Sequence, residues 1–138
     1  MKQLVLLLSL LVASPVFSAQ AESDTPSTPP EVIGLLFYAD WCGSCKVLDP
    51  KLSAVKPQFS GQPVLFTQVD MTDEFTVEQS TLFSSAMGVE AVFAEHAPKT
   101  GFMLLIDADD NAILDRLTKE LSEAELAEKI SQALEKAS

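Results

Sequence analysis

Residues Val32 to Tyr38 read VIGLLFY, an apolar run with no break for a charged side chain. Successive side chains of a strand point to opposite faces, so a run that is apolar at every position is buried on both. Such a strand sits inside a sheet that helices cover on both sides. The downstream pattern supplies those helices. Leu48, Leu52 and Val55 recur at helical spacing, which predicts a helix from about Gly43 to Lys56. Pro50 removes one N–H within it and predicts a kink, and Pro57 helps to end it. Val64–Val69 (VLFTQV) reads as a second buried strand. Thr72-Asp73-Glu74 opens a helix to about Met87, with Gly88 as its C-cap. The stretch from Val89 to Gly101 has no clear periodicity. Phe102–Ile106 (FMLLI) is a third strand, Asp107–Asn111 a turn and Ala112–Leu117 a fourth strand. Ser122 and Glu125 form a capping box that starts a last helix, with Leu126, Ile130, Leu134 and Ala137 on its apolar face. The order β-α-β-α-β-β-α predicts an α/β fold with a mixed central sheet flanked by helices.

The chain opens MKQLVLLLSLLVASPVFSAQAES, with Lys2, the apolar stretch Leu4–Val12, the breaker Pro15 and small residues at Ala19 and Ala21. This is the layout of a secretory signal peptide, residues 1–21, cut after Ala21. The apolar stretch is too short to span a bilayer, which takes about 20 residues. Removing 21 of 138 residues leaves 117, enough for one domain with its own core. Residues 22–31 (ESDTPSTPPE) read as a disordered Pro-rich leader, and 32–138 as the folded domain. The net charge of −11 becomes −12 when Lys2 leaves with the signal. That charge argues against nucleic acid and anionic membrane as partners, because both repel it.

The sequence has two cysteines, Cys42 and Cys45, separated by two residues. So short a loop cannot staple distant segments, so the pair serves reactivity rather than architecture. A C-x-x-C pair does thiol–disulfide chemistry or supplies half of a metal site. Its position after a buried strand and at a helix start favours a thiolate at Cys42. Cys45, one turn inward, can then resolve a mixed disulfide. A tetrahedral zinc site takes four ligands, whereas this chain offers two cysteines and His96.

The segment Phe37–Pro50, FYADWCGSCKVLDP, resembles the active-site segment of the thioredoxin superfamily. It is especially similar to the C-terminal thioredoxin-like domain of the DsbD family of membrane-spanning reductases. Tyr38-Ala39-Asp40-Trp41, Lys46 and Pro50 carry the likeness. The resemblance implies a minimal thioredoxin fold with a four-stranded sheet, lacking the first strand and helix of a full-length thioredoxin. It also implies a thiol–disulfide oxidoreductase of the protein-disulfide reductase type, working in the periplasm. Trp41 would contact substrate beside Cys42, and Pro98 would be the cis-proline facing the cysteines; the alternative for Pro98 is a trans proline in a loop. The buried Asp and the Lys that thioredoxins carry are replaced here by Leu36 and Phe66, and Gly43-Ser44 stands where thioredoxin has Gly-Pro. Asp49 lies four residues after Cys45, on the same helical face. The DsbD-type domain has an acidic residue there, so Asp49 is a candidate proton relay for Cys45, with a solvated surface carboxylate as the alternative.

The expected partners are protein disulfides and a membrane or periplasmic thiol donor. No cofactor and no stable membrane insertion after cleavage are expected, and the chain is read as a monomer. The competing reading is a copper(I) carrier, since copper(I) favours thiolates, or a non-catalytic binding module. His96 reads as an exposed loop histidine. Asp107, Asp109 and Asn111 start like a calcium loop, but Ala112 and Thr118 stand where its Gly and Glu belong, which leaves a hairpin turn.

Overall fold

The computed structural model describes residues 29–138; the expected signal peptide and leader residues 22–28 lie outside them. β1 (Val32–Tyr38) leads into α1 (Gly43–Val55), a 3-10 turn (Lys56–Phe59) and β2 (Val64–Asp70). Then come α2 (Glu74–Ala86), α3 (Glu90–His96), β3 (Phe102–Asp107), β4 (Ile113–Thr118) and α4 (Glu123–Ala137). The four strands form one mixed sheet in the order β2-β1-β3-β4. β1 runs parallel to β2 and antiparallel to β3, and β3 is antiparallel to β4.

The apolar run of β1 divides as an inner strand must. Ile33, Leu35 and Phe37 enter the core shared with Val92 and Phe93 of α3. Val32 and Leu36 enter the opposite core, with Leu48 and Leu52 of α1 and Leu126 and Ile130 of α4. β3 divides likewise, with Phe102, Leu104 and Ile106 on the α3 side and Met103 and Leu105 on the other. Each fully buried Leu, Ile or Phe adds about 1.5–3 kcal/mol, so these two inner strands contribute a large share of the stabilising burial. Gly34 interrupts the run for a steric reason. A Cβ there would come 2.9 Å from the Phe66 ring and 3.1 Å from Met103 Sδ.

The capping boxes place the helices. Asp73 and Thr76 exchange hydrogen bonds at the start of α2, and Ser122 and Glu125 do so at the start of α4. Leu126, Ile130 and Leu134 of α4 are buried as expected, and Ala137 lies at the margin of their cluster. Gly88 closes α2 with φ +73°. The turn at Asp107–Asn111 is held by its own side chains, with Asp107 accepting from Asp109 N–H and Asp110 from Ala112 N–H.

Two expectations are corrected. β2 is not buried on both faces; it is the sheet edge, and only Val69 of its residues is fully covered. The stretch without periodicity contains α3, whose two turns are too short to repeat an apolar pattern. α1 ends at Val55 with Lys56 as its C-cap, within a residue of the expected end, and the chain continues as the 3-10 turn with Pro57 in its first positions. Among the described residues, no helix is long and apolar enough to cross a membrane.

Candidate active site

The cysteines occupy the junction between β1 and α1. Cys42 is the N-cap of α1, and its Sγ accepts the Cys45 N–H at 3.1 Å. A helix start leaves N–H groups without partners, which Ser, Thr or Asp oxygens usually satisfy. Here a sulfur takes that place, where the helix dipole favours negative charge. The first turn contains no acidic residue to oppose it. The two cysteines are joined as a disulfide. Cys42 retains 6% exposure and Cys45 none, so of the two residues only the first reaches the surface. Cys45 Sγ lies 3.7 Å from the Phe37 carbonyl oxygen.

A polar chain holds the loop before the pair. Asp70 Oδ1 accepts from the N–H and the hydroxyl of Thr72. Thr72 Oγ1 accepts the Asp40 N–H at 2.9 Å, and the Thr72 carbonyl accepts the Trp41 indole N–H at 3.1 Å. Trp41 is thereby fixed beside Cys42 with 63% of its surface open. Sequence reading missed Thr72, because its role depends on a contact between β2 and β1 that no local pattern encodes. The Tyr38 hydroxyl donates to Asp40 at 2.9 Å. That hydrogen bond, burial and the charges of Asp40, Asp49 and Asp70 push the phenol above its ordinary range.

Asp49 is half-buried on α1, one turn beyond Cys45. Leu36 belongs to the buried α1/α4 core, and Phe66 packs against the same cluster. The two hydrocarbon side chains thus share one environment, where a lone charge would be costly.

The Ala97-Pro98 peptide bond is cis, as the resemblance implied. Pro98 itself is exposed, while Ala97 packs against the core cluster that contains both cysteines. Gly101, three residues on, lies against the pair: a Cβ placed there would stand 3.4 Å from Cys42 Sγ. His96 is not a free loop histidine. It ends α3, with Nδ1 3.0 Å from the Val92 carbonyl and its ring against Phe37 and Phe102. Among the described residues, no group of three or more His, Cys, Asp or Glu side chains could hold a metal ion.

Residues 25–85 match the family described as Thioredoxin, a stretch that ends within α2. Thioredoxin-T of Drosophila melanogaster is 44% identical over 43 residues, 30% of this chain. That alignment spans 27% of the fly protein, about a quarter of its length. Two solved structures share the fold with a TM-score of 0.51 each. StoA from Bacillus subtilis has 15% identity, covering 75% of this chain and 85% of its own. The DsbF of MTB, seen in mixed oxidized and reduced forms, has 18% identity, covering 76% and 82%. The mixed sheet, the cysteine pair capping α1 and the match over residues 25–85 show a thioredoxin fold that carries a redox-type Cys42-x-x-Cys45 pair.

Proposed function

We propose that the protein is an exported, periplasmic thiol–disulfide oxidoreductase that reduces disulfides in partner proteins. The observation that carries this reading is the asymmetry of the pair. Cys42 caps the helix, accepts an N–H and keeps the little surface the pair exposes, while Cys45 is fully buried.

In the reduced protein the Cys42 thiolate attacks one sulfur of a partner disulfide. The Cys42–partner bond forms, the partner S–S bond breaks, and the second partner sulfur leaves as a thiolate that takes up a proton. Cys45 then loses its proton and attacks Cys42 Sγ, which closes the intramolecular disulfide and releases the first partner sulfur. The partner gains two electrons and two protons, and the pair is left oxidised. Asp49, one helical turn from Cys45, is the proposed acceptor of the Cys45 proton. Trp41 and the cis Pro98 segment are the proposed walls of the partner site. A membrane or periplasmic thiol donor resets the pair.

The reducing direction rests on the DsbD-like segment around the pair and on Gly43-Ser44 between the cysteines. Export rests on the signal-like first 21 residues. The test is capture of partners by resolving-cysteine variants. Cys45→Ser accumulates mixed disulfides through Cys42, and Cys42→Ser accumulates none. The reverse pattern overturns the assignment of roles.

A further inference from the structure

Gly101, the residue before β3, has a backbone and a neighbourhood that no other residue type fits. Its φ is +93°, and its N–H donates to the Phe37 carbonyl at 2.8 Å. A Cβ placed there would stand 2.7 Å from Ser44 Cβ, 3.5 Å from Ser44 Oγ and 3.4 Å from Cys42 Sγ. Non-bonded carbons rest about 3.5–4.0 Å apart, so the first contact cannot exist without movement. All three atoms belong to Cys42 and Ser44, the N-cap and first turn of α1.

We propose that Gly101 is a positioning residue for Cys42. Its missing side chain lets the first turn of α1 settle onto the segment before β3, at the depth where the Cys45 N–H meets Cys42 Sγ at 3.1 Å. Its backbone acts on the second sulfur as well. The Phe37 carbonyl that takes the Gly101 N–H is the one 3.7 Å from Cys45 Sγ. A side chain at 101 pushes Ser44 outward, lengthens the hydrogen bond that stabilises the Cys42 thiolate, and crowds the sulfur that partners must reach.

This inference rests on the redox reading of the pair, and one assay separates their failures. The reduced protein is alkylated with iodoacetamide across pH, and modification at Cys42 is followed by mass spectrometry. The wild-type midpoint is expected below that of an ordinary cysteine, about 8.5. A wild-type midpoint at the ordinary value defeats the redox reading itself. With the wild-type value established, Gly101→Ala should move the midpoint up by roughly half a unit, about threefold slower alkylation on its acid side. The double variant Gly101→Ala/Ser44→Gly removes the atom that the new Cβ meets. It should bring the midpoint back while the melting temperature stays depressed, because alanine at positive φ remains strained. A midpoint unmoved in Gly101→Ala, or equally moved in the double variant, overturns the proposal. Should Gly101→Ala fail to fold, Ser44→Val presses the same contact from the other side with the glycine backbone intact. It should raise the midpoint as well, and an unchanged value likewise overturns the proposal.

Discussion

Ser80 is a buried serine on the inward face of α2, and its removal should cost far more than its size implies. Its hydroxyl accepts the Asp70 N–H at 2.7 Å and donates to the Asp70 carbonyl at 3.0 Å. Those are the outward-pointing backbone groups of Asp70, at the end of the edge strand β2, so no neighbouring strand can take them. Ser80→Ala deletes both bonds, each worth about 0.5–1.5 kcal/mol net. Asp70 is half-buried, so water relieves part of the loss, and the expected cost is roughly 1–2 kcal/mol. At about 4 °C per kcal/mol for a domain of this size, the melting temperature should fall by roughly 4–8 °C. The internal control is Ser84→Ala, four residues on and also buried. Ser84 Oγ only donates to the Ser80 carbonyl, 2.6 Å away within the same helix. Its loss should stay within about 0.5 kcal/mol. Thermal melts of the oxidised proteins, followed by far-UV circular dichroism, make the comparison. A Ser80→Ala protein that melts no lower than Ser84→Ala refutes the reasoning. The effect should reach the site too, because Asp70 holds Thr72 and Thr72 holds Trp41.

Other outcomes follow from the same structure. Asp49→Asn should slow disulfide reduction and flatten its dependence on pH around neutrality; an unchanged profile leaves water as the base for Cys45. Asp115 is partly desolvated, which alone would raise its pKa, but the Lys129 hydrogen bond at 2.8 Å and the Arg116 N–H hold it below the ordinary value. A lowered folded value adds stability above the unfolded pKa, and that contribution is lost as pH falls through the folded one. Asp115→Asn should therefore destabilise at pH 7 by about 1 kcal/mol or less, since the pair is partly exposed, and the difference should vanish in acid. A gap between the two denaturation midpoints that persists in acid contradicts this.

The parts of the fold legible in the sequence are those whose signal is local. β1 could be read to the residue because burial on both faces leaves only apolar side chains. α4 could be read because its capping box and its apolar spacing agree. α3 was invisible because seven residues bury only Val92 and Phe93. β2 was misjudged because VLFTQV is apolar enough for an inner strand, while its edge position depends on what pairs with it. The same division holds at the site. Cys42 and Cys45 announce themselves by spacing and by their place at a helix start. Gly101 and Thr72 act through contacts with segments distant in the chain, whereas locally Thr72 reads only as part of a helix start and Gly101 as the end of a stretch without periodicity. Pro98 was legible only through resemblance.

The central claim is that Cys42 and Cys45 form a redox couple rather than a structural clasp. The most direct measurement is the reduction potential of the pair, titrated in defined thiol–disulfide buffers and read by Trp41 fluorescence. The account predicts a reversible two-electron transition towards the reducing end of the range from about −120 to −270 mV. A pair that stays oxidised until below about −300 mV, as structural disulfides do, contradicts it.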